Sequence, residues 1–346
     1  MKLEPRLLEN PFVRLEPLEA RHRTPLRPLA DDPSLWVQTS LNASGPGFDA
    51  WFDAMAAANA KGAQISFAVF DKRGEAYAGH TSYLSIAPEH QRVEIGWTWY
   101  GARFHRTAVN PACKRLLMAN AFASGAMRVE LKTGAQNRRS QGAMEKMGAT
   151  REGVLRSHAA TWDGARRDTV YYSVLAGEWP GVRDRLDARL AALSGYSIAE
   201  DDPAAPDVVA LLTTHLAFTK EASPPGACFA LDVDGLKQPG VTFWTARRAG
   251  VLAGCIALKA LDEGRGEIKS MHVAAAERGR GAAQALVSTA IEAARARGWT
   301  WLGLETGRSY GFAASRALYA SAGFEPCPAF PPYEDGGFSY CMSRPV

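Results

Sequence analysis

No run of residues in this 346-residue chain is long and apolar enough to span a bilayer, although 47% of the residues are hydrophobic; a helical span needs about 20 consecutive apolar residues. No secretory signal stands at the N-terminus either. The opening MKLEPRLLENPFVRLEPL is broken by prolines and acids before an apolar core can form, so cytoplasmic residence without membrane attachment is the expectation. Cysteine is scarce. Cys113, Cys228, Cys255, Cys327 and Cys341 are odd in number, widely spaced and without a CxxC pair. That excludes a disulfide framework and a zinc knuckle and predicts separate buried thiols, with no metal. One-signed charge is lacking as well: 40 basic and 36 acidic residues leave a net +4, too little and too diffuse for a nucleic-acid footprint, though enough for a local site that holds a phosphate. Neither GxxxxGK[ST] nor GxGxxG occurs, so neither ATP nor a dinucleotide is the expected ligand.

What is present is length and order. The chain exceeds what one compact core usually holds, which points to two domains. The boundary is expected after an amphipathic helix that follows Pro180-Gly181 and runs to about Leu193, giving domains 1–193 and 194–346. In the second, strands at 241–248 and 251–260 form a hairpin turned near Ala249-Gly250, and a strand at 267–273 follows. A turn rich in glycine and arginine, a helix at 282–297, a strand at 299–306 and a helix at 313–322 come next. The first half repeats the order: strands at 65–70, 77–86 and 92–100, a helix at 109–124, a strand at 128–133, and a helix at 140–147 stopped by Gly148. An internal duplication of this period implies two similar domains rather than a solenoid.

The turn carries the first chemical signal. Glycine costs about 0.5–1 kcal/mol relative to alanine inside a regular element, so RGRG directly before AAQAL does not serve helix stability. A strand that feeds a glycine turn into a helix leaves free N–H groups at the positive end of the helix dipole, which is a cradle for phosphate. Arg278 to Ala283 fit R-x-x-G-x-A. Read alone, the same six residues are also compatible with a solvated loop.

EIKSMHV, RGRGAAQAL and ALYASAGF, in this order, resemble the GNAT superfamily of acyl-CoA-dependent N-acyltransferases over nearly all of 196–346, and LETG with the final S-x-x-M (Ser339, Met342) resembles a group of small bacterial acetyltransferases. The resemblance implies an α/β fold of α+β type: in each half a mixed, mostly antiparallel central sheet flanked by helices and splayed after its fourth strand. It implies acetyl-CoA as cofactor, with Arg278, Gly279, Arg280, Gly281, Ala282 and Ala283 on the pyrophosphate of coenzyme A. Met271, His272 and Val273 would pair with the pantetheine arm, and Tyr319 would protonate the departing thiolate. For the base that deprotonates the amine, Glu267 is the first candidate and Glu305 the second, with His215 and His272 as rivals.

Residues 93–179 resemble the RimJ/RimL-type branch of the same superfamily through EIGW, KTGAQNRRSQGAMEKMGA, EGVLRSH and DGARRDTVYYSVLAGEWP. By that resemblance Asn137 and Ser140 would contact coenzyme A. The phosphate turn is degenerate: HRTAVN at 105–110 keeps no glycine, although Arg106, Thr107 and Asn110 could donate to phosphate. This half is therefore either a scaffold or a second acyltransferase with another acceptor. The expected activity is acetyl transfer to a primary amine, on a small molecule or a peptide N-terminus, with chemistry in the second half; a non-catalytic acyl-CoA sensor is the alternative. The aromatic tail, Phe330, Tyr333, Phe338 and Tyr340, suits either a pocket wall or core packing.

Overall fold

The structure, a computed structural model, describes residues 1–224, 229–262, 264–334 and 337–346. The chain divides into two compact units, Met1–Leu186 and Asp187–Val346. The first contains strands β1 (Leu8–Glu9), β2 (Val13–Pro17), β3 (Ile65–Asp71), β4 (Ala76–Ala87), β5 (Arg92–Tyr100), β6 (Arg128–Gly134), β7 (Thr150–Ala160) and β8 (Arg166–Leu175). They form one sheet in the order β1-β2-β3-β4-β5-β6-β8-β7. Its helices are α1 (Arg23–Ala30), α2 (Gly47–Ala60), α3 (Val109–Ala123) and α4 (Arg138–Met147), and α5 (Trp179–Ala192) leads out of it.

The second unit has β9 (Ser197–Glu200), β10 (Val241–Arg248), β11 (Val251–Asp262), β12 (Arg265–Val273), β13 (Trp301–Gly307), β14 (Glu325–Pro326) and β15 (Ser339–Pro345), in the order β14-β15-β13-β12-β11-β10-β9. Its helices are α6 (Pro206–Ala222), α7 (Val233–Leu236), α8 (Ala282–Ala296) and α9 (Ala313–Ser321). Its apolar clusters include one that joins α8 and α9 to the sheet through Leu286, Ala290, Tyr319, Ile256 and Leu304, and another that joins α6 through Val208, Leu211 and Leu212 to Phe243 and Ala257. α8 buries Ala282, Ala285, Leu286, Ala290 and Ala294, the i, i+3, i+4 spacing of one helix face. The fold is thus the expected mixed, mostly antiparallel sheet flanked by helices, twice.

The feature that positions the site is a wedge between the two parallel strands of each sheet. β12 and β13 pair only from Arg265↔Trp301 to Ile268↔Leu304, and both strands then run on, to Val273 and to Gly307. In the first unit β5 and β6 pair only from Arg92↔Arg128 to Glu94↔Glu130. Backbone groups beyond these points are open to a guest between the strands.

Three local expectations change. Pro180 and Gly181 do not end a strand; they lie in the first turn of α5, where proline's missing N–H removes no helical bond. β1, β2, α1 and α2 precede Ile65 and add to the expected elements; proline and short apolar runs weaken the periodicity of the first three, whereas α2 carries Phe48, Trp51, Phe52 and Met55 at the i, i+3, i+4, i+7 spacing of a helix face. Cys113, Cys255 and Cys341 are buried free thiols, whereas Cys327 is half-buried, and Cys228 lies outside the described residues.

Candidate functional site

In the second unit a cavity of about 490 Å³ runs along the wedge. It starts at the expected phosphate turn, where Arg278, Gly279, Gly281, Ala282 and Ala283 line it, passes β12 from Ile268 to Val273, and reaches Glu305 and Tyr319. Gly279 has φ 70° and Gly281 φ 96°, the left-handed region in which glycine carries no side-chain penalty. Gly281 is the N-cap of α8, and no side chain caps that helix start, so its first N–H groups point outward unoccupied by protein. Arg280 belongs to the same turn but does not line the cavity.

β12 is bulged where the cavity passes it. The β11–β12 register moves from Cys255↔His272 to Ala257↔Lys269, which leaves Ser270 and Met271 against Ile256 alone, and Ser270 has φ 48°. A bulge of this kind turns ladder groups away from the neighbouring strand. No sequence signal announced it, since serine is not a residue that marks positive φ.

The acid and base candidates separate by burial and partners. Tyr319 reaches the cavity from α9, packs edge-on against Phe324 at 5.6 Å between ring centroids, and has its hydroxyl pKa pushed up by burial alone. Glu267 does not line the cavity. It is 1% exposed, accepts a hydrogen bond from the Tyr333 hydroxyl, and lies 3.3 Å from Lys269 Nζ, which also donates to the Tyr333 oxygen at 2.6 Å. Glu305 does line it, and burial raises its carboxyl above the usual range against the opposing pull of Ser339 and Lys269. Of the aromatic tail, Phe338 lines the cavity while Phe330 and Tyr333 pack in a cluster with Cys341.

His215 and His272 also reach the cavity, with ring centroids 5.1 Å apart. Burial, then the neighbouring His272, lowers His215 to about 4; burial, then Arg278, lowers His272. Among the described residues no group of three or more His, Cys, Asp and Glu could hold a metal, and no helix is long and apolar enough to cross a membrane.

The first unit repeats the frame with different chemistry. Its β5 is bulged at the equivalent place, Trp97 with φ 47°, and Arg106 has φ 63° where the second unit has Gly279. At the position of Gly281, however, Ala108 is right-handed, with φ −69°. Thr107 Oγ1 donates to Phe104 O at 2.8 Å and accepts from Val109 N at 3.3 Å, and Asn110 Oδ1 accepts from the Tyr100 hydroxyl at 3.4 Å. One of the expected phosphate donors, the Thr107 hydroxyl, is therefore engaged within the protein and closes the helix start itself, and Asn110 is held through its amide oxygen. Asn137 caps α4 by accepting from Ser140 N at 3.1 Å, so those two residues meet each other. Lys132 occupies the place of Glu305, with Nζ 2.8 Å from Glu94, and α4 contains no tyrosine.

Comparison with known proteins agrees with this duplicated frame. A family model described as an acetyltransferase (GNAT) domain matches residues 13–150, and one described as the acetyltransferase (GNAT) family matches 209–324. The uncharacterized N-acetyltransferase YsnE of Bacillus subtilis (strain 168) is 40% identical over 144 residues, 42% of this chain and 95% of that protein. The chain belongs to the GNAT acetyltransferases. A protein named IAA acetyltransferase from Azospirillum brasilense is 34% identical over 156 residues, 44% of this chain and all of that protein. The crystal structure of a GCN5-related N-acetyltransferase from Brucella melitensis superposes with a TM-score of 0.50 at 30% identity, covering 56% of this chain and 87% of that one. Acetyl-CoA is the acyl donor of GNAT acetyltransferases, and the second unit's cavity fits it: the turn has two left-handed glycines and an uncapped helix start for phosphate, and an open wedge follows. The start of α3 in the first unit, closed by Thr107, does not offer the same cradle.

Proposed function

We propose that the second unit acetylates a primary amine by direct attack within a ternary complex, and that the first unit is a GNAT-fold partner without that turnover. The single observation that carries the reading is the continuity of one cavity from the turn at Arg278–Ala283 to Glu305 and Tyr319. When bound, acetyl-CoA supplies a thioester that an amine can attack. Arg278, Gly279, Arg280, Gly281, Ala282 and Ala283 hold its pyrophosphate by backbone N–H groups and charge. Met271 to Val273, beside the bulge, offer strand groups to the pantetheine arm and one N–H to the carbonyl oxygen, where a preorganised donor is worth about 3–4 kcal/mol.

Glu305 replaces Glu267 as the base in this reading. A base must reach the amine, and Glu305 lines the cavity whereas Glu267 is covered by Tyr333 and Lys269. Burial raises the affinity of Glu305 for a proton, which suits a group that takes one from an ammonium or amine near neutral pH. Tyr319, whose hydroxyl burial keeps protonated, donates to the departing sulfur. The reading requires a compartment that contains acetyl-CoA, such as the cytoplasm. Release of free thiol from acetyl-CoA over a panel of amino acids, polyamines, aminoglycosides and peptides tests it; release with one amine class supports transfer, and binding without release from any of them would assign the chain to sensing.

A further inference from the structure

Three side chains on one wall of the second unit's cavity have no part in the transfer steps above, which use only the backbone of that strand. His215 comes from the buried face of α6, Ser270 sits in the bulge of β12, and His272 follows on the same strand. The three are 9%, 7% and 8% exposed. Yet His215 Nδ1, Ser270 Oγ and His272 Nε2 have no hydrogen-bond partner, and all three residues line the cavity. Among the described residues of this unit no other buried side-chain nitrogen or oxygen is left in that state. A buried polar group without a partner forfeits its hydration for nothing, so three on one wall mark a place that a ligand completes.

The donor set indicates which ligand. Both imidazoles are neutral at pH 7 because burial lowers them, and a neutral imidazole can carry its proton on either nitrogen. The two rings and the hydroxyl can therefore all donate at once to one group rich in lone pairs, and a carboxylate has two oxygens with about four acceptor sites. The charge of Arg278 acts on His272, and Lys269 lines the same cavity. Of the carboxylates there, Glu277 is held by the Tyr196 hydroxyl at 2.6 Å and by Arg248 at 3.4 Å, and Glu305 is the base. The cavity also holds a row of phenylalanines: Phe218 and Phe312 lie 5.3 Å apart between centroids, and Phe312 and Phe338 5.9 Å apart.

We propose that His215, Ser270 and His272 form a carboxylate subsite for the acyl acceptor, which is an amino acid whose aromatic or bulky apolar side chain rests on the phenylalanine row. The inference rests on the second unit being the acetyltransferase. It is tested by binding rather than turnover, so the two fail separately: absence of thiol release with every amine removes the acetyltransferase reading, whereas the subsite stands or falls on a titration. N-acetyl-L-phenylalanine and N-acetylphenethylamine share the ring and the amide and differ by the carboxylate. Calorimetric titration of the full chain loaded with coenzyme A is expected to show the carboxylate form binding about tenfold tighter or more. His215→Leu and His272→Leu should each erase that preference, while His215→Asn and His272→Gln, whose amides place a donor near the lost ring nitrogen, should retain most of it. His215→Leu should leave coenzyme A affinity within about threefold of the parent. Equal binding of the two amides, binding of neither, a preference that survives both leucine variants, or a parallel loss of coenzyme A affinity in His215→Leu would overturn the subsite.

Discussion

In the proposed reaction Tyr319 and Glu305 need opposite protonation states at the same pH, and burial supplies only one of them without cost. It raises both groups, which keeps the tyrosine an acid and pushes the carboxylate toward its inactive, protonated form. The sign of the pH dependence follows. As the proposed base Glu305 would work as the anion, so kcat/KM should rise with pH through a carboxylate pKa above the ordinary value of about 4.3. Glu305→Gln should remove that limb and lower kcat by roughly 10²-fold or more. Glu267→Gln should act on stability instead, because it leaves Lys269 and Tyr333 facing a neutral partner inside the protein. A pH–rate profile of the two variants separates these roles. Tyr319→Phe keeps the ring and its contact with Phe324 and removes only the oxygen; kcat should fall by about 10²-fold or more while the Kd of acetyl-CoA stays within a few-fold. Unchanged kcat in that variant would take Tyr319 out of the mechanism.

At the scale of the element, the turn before α8 and its counterpart before α3 differ at one decisive backbone position. Gly281 is left-handed and Ala108 is right-handed. Gly281→Val should therefore weaken coenzyme A binding strongly, since a β-branched residue is strained at φ 96° and crowds the phosphate approach. Ala108→Val should leave it nearly unchanged, and equal losses by titration would contradict the asymmetry. Much of this element was legible in the sequence: strand, R-x-x-G-x-A turn, helix and the glycine stops lie within a residue or two of their expected places, because each has a local cause in periodicity or in a φ that only glycine adopts freely. The bulge was not, because Ser270 and Trp97 adopt positive φ without a glycine to announce it. The choice between Glu267 and Glu305 is not legible for a related reason: both are strand glutamates, and which one a tyrosine covers depends on Tyr333, far along the chain. Convergence of His215 with His272 needed α6 laid on the sheet, which no local pattern encodes.

The whole molecule repeats one fold with different residues at the two equivalent turns. Acid stability should reflect His80, one of two fully buried histidines of the first unit. His80 is fully buried, with Nδ1 2.8 Å from the Trp97 carbonyl, and burial lowers its pKa to about 4. The unfolded value is near 6.5, so the unfolded chain binds the proton first; stability is intact above about pH 6.5 and falls by up to about 1.4 kcal/mol per pH unit as pH drops toward 4. Thermal unfolding of the parent and of His80→Gln between pH 7 and 5 checks this, and the variant should lose the smaller share of its stability. The central claim is that only one of the two units holds the donor. Calorimetric titration of the intact chain with coenzyme A measures it directly. The account predicts one site per chain, abolished by Gly281→Val and untouched by Ala108→Val; two sites per chain, or one site that survives Gly281→Val, would contradict it.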